Sequence, residues 1–169
     1  RFDEAEAEFR QTLELQPDHG GACLRLGYLA GRRGDRDLAQ RQFEEVIRLA
    51  PDNWEALLAL AALDEESGNR EGAEARLRTV IALENLPVPD GHVRLSRLLE
   101  AAGREDEAIE IARQTTERFP EHDIAWRQLG QALKRQGRLD EAVEAFARAH
   151  ALLRSPGSQY GMNRPEIRH

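Results

Sequence analysis

The sequence predicts an all-α protein, an α-solenoid of antiparallel helix hairpins, and three observations carry that prediction. A set of landmark residues returns about every 34 positions along the 169-residue chain, the mark of a structure in which each unit packs on its neighbours. Gly and Pro alternate as punctuation between stretches of helical period. Aromatic residues are only 5 % and charged residues 33 %, and most of the other hydrophobics are Ala and Leu, the mix of helices that approach closely on small side chains.

Each element follows in order. Ala5 and Phe9 mark a helix over about 3–16, the second half of a hairpin whose first half is missing. The next hairpin spans 19–33 and 36–49. Leu26-Gly27 puts a knob beside a gap on its first helix, Gly34 makes the turn, and Ala39 and Phe43 follow on the second helix. Helices over 52–67 and 70–84 repeat this with Leu60-Ala61, Gly68, Ala73 and Leu77. Helices over 90–102 and 105–118 use Leu95-Ser96, Gly103, Ala108 and Ala112. The last pair, 121–136 and 139–153, uses Leu129-Gly130, Gly137, Ala142 and Phe146.

The physical roles are common to all. The recurring Ala is small because the second helix crosses the first there, and a larger side chain would cost about 1–3 kcal/mol. The residue one turn later fills the space between hairpins. The Gly ends the first helix in a tight turn, and Pro17, Pro51 and Pro120, each followed by an acid, end the second. One extra residue enters near Leu86-Pro87-Val88-Pro89, so that junction is expected to be looser or bent. No such helix is stable alone in water, so stability must come from stacking.

This pattern resembles the tetratricopeptide repeat (TPR), whose signature reads Trp126-x-x-Leu129-Gly130-x-x-Leu133 and then Ala142-x-x-x-Phe146 in the last unit. The resemblance covers about residues 1–154 and implies a right-handed superhelix, with a half repeat over 1–19 and repeats over 20–53, 54–88, 89–122 and 123–154. Cys23, Leu57 and His92 depart from the family's first aromatic, and Ala112 from its later one. Residues 155–169, rich in Ser, Gly and Pro, read as an irregular tail or linker. The chain opens on Arg1 rather than Met, which reads as a piece of a longer protein. Its unsealed ends are expected to continue in that protein, with self-association through them as the alternative.

In this family the first helices line a concave groove that holds a partner peptide. Carried over by position, the groove residues are Leu24, Arg25, Tyr28 and Arg32, then Glu55, Leu58, Ala62 and Glu65, then Val93, Arg94 and Arg97, then Arg127, Gln131 and Lys134. Leu24, Leu58 and Val93 make an apolar line, and Arg94, Arg97, Arg127 and Lys134 gather positive charge toward the C-terminal half. Glu44, Glu45, Glu74, Glu107, Glu110 and Glu144 fall on the second helices. The expected ligand is therefore a protein segment with apolar anchors and an acidic group, gripped by Arg97 and Arg127. Tyr28 and Ala62 stand where the family's chaperone-binding members carry asparagines, so chaperone binding is not expected. The resemblance implies a non-enzymatic protein-binding scaffold. The competing class is a substrate-recruiting or assembly module of a larger enzyme, such as a transferase, whose catalytic domain lies outside this chain.

Other chemistry finds little support. A net charge of −7 opposes binding to a nucleic-acid backbone, and no apolar run approaches the length of a membrane span. Cys23 is the only cysteine, which allows no internal disulfide and no thiolate metal cage, and fits a reducing compartment such as the cytoplasm. It replaces a packing aromatic and reads as an inert buried thiol. The five histidines lack metal-ligand spacing, and no nucleophile elbow or phosphate loop is present. No catalytic residue, metal or cofactor is expected. Asp64-Glu65-Glu66 reads as a solvated helix end, Trp126 as core and Trp54 as groove rim.

Overall fold

The computed structural model describes residues 2–154, and among them the regular structure is entirely helical. In order these are α1 (Phe2–Leu15), α2 (Gly20–Arg33), α3 (Arg36–Leu49), α4 (Trp54–Ser67), α5 (Arg70–Ile81), α6 (Asp90–Ala101), α7 (Glu105–Arg118), α8 (Asp123–Arg135) and α9 (Leu139–Arg154). Every helix expected from the sequence is present. The proposed tail over 155–169 lies outside the described residues.

The bounds differ where local chemistry overrides the period. α4 starts two residues later than expected because Asn53 is its cap, with Oδ1 accepting from the Ala56 N–H at 2.9 Å. α5 stops at Ile81, three residues early. It ends on the β-branched run Thr79-Val80-Ile81, and Pro87 and Pro89 favour extended backbone in the residues before them. The chain divides between Leu86 and Pro87 into two compact units.

In the first unit α1 to α5 pack each on the next. α2 closes on Gly34 at φ 81°, where the N–H groups of Gly34 and Asp35 reach the Gly31 and Ala30 carbonyls at 3.1 and 3.0 Å. A Cβ strains that left-handed conformation, so Gly holds the position. The core joins Cys23, Leu24, Val46, Ala56 and Leu60 around Phe43. Arg33 on α2 ties back to Asp3 and to the buried Glu6 on α1.

In the second unit α6 packs on α7, α7 on α8 and α8 on α9. Its core joins Ile109, Ala112, Leu129, Leu133, Ala142 and Ala145. Trp126 is only partly buried against this core, and its Nε1 donates to the Pro120 carbonyl at 2.8 Å. α9 presents Leu139 and Val143 to solvent.

Close approach of paired helices is set by matched volumes 16 residues apart. A Cβ on Gly27 would lie 2.7 Å from the Phe43 ring, and one on Gly130 2.8 Å from the Phe146 ring. Where the first position is Ala61 the second is Leu77, and where it is Ser96 the second is Ala112. The smaller the first residue, the larger its partner, with Ser96 using its spare room to donate from Oγ to the Ala108 carbonyl at 2.9 Å.

Candidate partner-binding grooves

Each unit has a groove between its two successive first helices, and the repeat period relates the grooves position by position. In the first unit the groove lies between α2 and α4 and measures about 410 Å³. Tyr28, Gly27 and Gly31 contribute from α2, Ala59, Ala62 and Leu63 from α4, and Phe43 from α3. Its lining is small and apolar. Tyr28 stands edge-on to Phe43, ring centres 5.2 Å apart, and the Arg36–Glu66 ion pair at 3.0 Å spans its rim.

In the second unit the groove lies between α6 and α8 and measures about 830 Å³. α6 contributes Val93, Arg97 and Glu100, and α8 contributes Ile124, Arg127, Gln128, Gln131, Lys134 and Arg135. The spacings of four and three residues from Val93 to Arg97 to Glu100, and the matching spacings along α8, keep these side chains on one face of each helix. Val93 and Ile124 form an apolar end near the helix starts, and four cations follow. Arg97, Arg127 and Lys134 are exposed, and among the described residues no carboxylate is in ion-pair contact with them. Arg135 is held by Glu100 at 2.9 Å.

Ten of the fourteen residues expected in the groove divide accordingly, and of the other four Arg32 and Ala62 line the first unit's groove while Glu55 and Glu65 line neither of these two. Val93, Arg97, Arg127, Gln131 and Lys134 meet in the second unit, while Tyr28 lines the first unit's groove. Arg25 is exposed on α2, and Arg94 and Leu58 are half-buried on α6 and α4, but none of the three lines a groove. Leu24 is a correction. It is 7 % exposed and belongs to the core cluster with Cys23 and Leu60, because α2 is covered by α1, α3 and neighbouring side chains of α4 and keeps only a narrow outer stripe. Glu100, Ile124, Gln128 and Arg135 went unnoticed in the sequence, although their spacing from Arg97 and Gln131 marks the same faces.

The outer acids are largely satisfied on their own helices. Glu45 accepts from Arg48 at 2.6 Å, Glu107 from Arg104 at 2.6 Å and Glu110 from Gln114 at 2.9 Å. Asp64 pairs with Arg76 and accepts from Asn69 at 2.9 Å, so it is engaged rather than open to a cation. Burial pushes the Cys23 thiol above its usual range, away from the reactive thiolate. His19 caps α2, its Nδ1 accepting from Ala22 at 3.0 Å. Among the described residues no three His, Cys, Asp or Glu side chains are placed to hold a metal ion, and no helix is long and apolar enough to cross a membrane.

Two family models described as tetratricopeptide repeat match residues 30–92 and 93–154. No curated protein matches the chain. Among solved structures, MamA is 25 % identical, with a TM-score of 0.74 over 89 % of this chain and 88 % of that one. A MamA fragment from Desulfovibrio magneticus RS-1 is 20 % identical, with a TM-score of 0.74 over 93 % and 88 %. YrrB, described as a TPR protein with an unusual peptide-binding site, is 20 % identical, with a TM-score of 0.67 over 89 % and 77 %. The period, the matched packing pairs and the two family matches agree: the chain belongs to the tetratricopeptide repeat family.

Proposed function

We propose that the chain is a non-enzymatic protein-binding scaffold and that its second unit holds a peptide segment carrying an apolar anchor and an acidic group. The observation that carries this reading is the arrangement between α6 and α8, where an apolar end and open cations share one groove. Arg97 and Arg127 face it from adjacent helices and offer planar forks suited to a carboxylate. Lys134 has a second role available at the C-terminal end of α8, where a cation favours the helix dipole, so the anion seat is assigned to the two arginines. Val93 and Ile124 supply the apolar contact. The protein's net charge of −7 makes the basic groove a local exception, which repels acidic segments elsewhere and accepts them here.

The first unit's groove by itself suits an apolar side chain, since Tyr28, Phe43, Ala62 and Leu63 line it. YrrB's peptide-binding description is a precedent within the fold.

The test is fluorescence anisotropy with a labelled peptide bearing Leu and Val anchors and one Glu, beside its Gln twin. The wild type should bind the Glu peptide and discriminate against the twin. Arg97→Glu with Arg127→Glu should weaken binding at least about a hundredfold, the worth of two charge-assisted hydrogen bonds. Both arginines are exposed, so the melting temperature should stay within about 2 °C. Unchanged affinity in the double reversal refutes the reading.

A further inference from the structure

The groove between α6 and α8 contains an anion of its own. Glu100 lies one turn after Arg97, and its side chain is only 4 % exposed although it lines the groove. One carboxylate oxygen meets Arg135 at 2.9 Å, and the other accepts from Gln128 Nε2 at 3.1 Å. That amide also reaches Ser96 Oγ at 3.4 Å.

Hairpin packing does not require an acid at this place. The equivalent positions in the other hairpins carry Gly31 on α2, where an added Cβ meets nothing within 4 Å, Glu65 on α4 and Lys134 on α8, and the hairpin two repeats earlier therefore packs with no side chain there. The partners differ in the same way, Ala59 standing for Gln128 and Glu66 for Arg135. Glu100 and its holders therefore belong to the chemistry of the second groove.

We propose that Glu100 is a specificity-determining residue of this groove, a fixed internal anion that restrains capture of an acidic segment until it takes up a proton. The inference rests on the acidic-segment reading above. The groups that face Glu100 are Arg97 on its own helix, Arg135 and Gln128 from α8, and Glu105 from α7. The other cations lining the groove are Arg127 and Lys134. Burial pushes the Glu100 carboxyl upward, ahead of the opposing pull of Arg135, Arg97 and Gln128, and Glu105 adds to the rise. A ligand carboxylate exposed to water stays near its ordinary range, so on acidification Glu100 becomes neutral first. A bound anion raises the Glu100 carboxyl further, and capture draws in a proton.

The experiment compares the wild type with Glu100→Gln, using the labelled Glu peptide and its Gln twin at about pH 7.5 and about pH 5.5. Calorimetry in two buffers of different ionisation enthalpy counts protons taken up on binding. At the higher pH Glu100→Gln should bind the Glu peptide about fivefold tighter, the factor for two charges roughly 8 Å apart at an effective dielectric of about 40. Wild-type affinity should rise on acidification with net proton uptake, and the variant should show neither. If the variant does not fold, the wild-type pH series and proton count decide alone. A wild type that captures the Glu peptide with no pH response and no proton uptake, or a folded variant no tighter than it, overturns the role of Glu100 and leaves the groove reading standing. Failure of the wild type to tell the Glu peptide from its twin overturns both.

Discussion

Replacing Gly27 by Ala tests the volume matching that sets the helix spacing, and its cost can be worked from the packing. The new Cβ would sit 2.7, 2.9 and 3.0 Å from three carbons of the Phe43 ring, closer than side chains tolerate. Phe43 is 3 % exposed and braced by Tyr28, so the ring has little room to retreat. Overpacking of this kind costs about 2–3 kcal/mol. The exchange of Gly for Ala within a helix returns about 1 kcal/mol, leaving a net loss of about 1–2 kcal/mol. Phe43→Leu alone leaves a partial cavity and costs about 1 kcal/mol. Combined, the two changes reproduce the Ala61 and Leu77 pair already present in the next hairpin. The double variant should lie within about 0.5 kcal/mol of the wild type, a favourable coupling of about 2 kcal/mol. Urea unfolding of the four proteins, followed by circular dichroism, measures the cycle. Additive losses would refute the argument that the two positions are matched. Gly130 with Phe146 is the control, because that ring is only half-buried and can shift, so Gly130→Ala should cost less.

Two further predictions concern stability. His92 is buried against Phe119, ring centres 5.6 Å apart, with Nδ1 lacking a hydrogen-bond partner among the described residues. Burial first, and nearby Arg118 second, hold its pKa down at about 4. The unfolded chain binds the proton near the ordinary histidine value of about 6.5, so this contribution is complete above that pH and is lost as pH falls toward 4. The loss should be on the order of 2 kcal/mol, and melts of wild type and His92→Leu across that window should show a steeper decline in the wild type. Glu100, with its carboxyl raised, works in the opposite direction, and its contribution is common to both proteins. Gly34→Ala should lower stability by about 1 kcal/mol, because the left-handed φ of 81° strains any Cβ; an unchanged urea midpoint would contradict it.

The helices were legible in the sequence because period and punctuation reinforce one another. The turn glycines Gly34, Gly68, Gly103 and Gly137 all adopt positive φ, and the first helices start close behind the Pro-acid pairs. Boundaries slipped where local chemistry decided the matter, as with the Asn53 cap or the β-branched run and prolines at the early end of α5. The groove was half legible. Family position placed Arg97 and Arg127 on faces that line the candidate groove, but it treated equivalent positions as equally exposed. Leu24 and Arg127 are equivalent, yet one lies in the core and the other in water, since apolar side chains collapse inward wherever a neighbour offers a surface. Glu100 escaped notice because its meaning comes from Gln128 and Arg135, about 30 residues away, a pairing that a linear reading does not reveal.

The claim that the second unit captures an acidic segment is tested most directly by nuclear magnetic resonance of arginine side chains during titration with the Glu peptide. The account predicts shifts concentrated at the Nε–Hε signals of Arg97 and Arg127, absent with the Gln twin, while Arg48 and Arg113, already paired at 2.6 and 2.7 Å, stay still. Silent Arg97 and Arg127 signals under saturating peptide, with shifts at Arg48, Arg113 or elsewhere on the second helices, would contradict it.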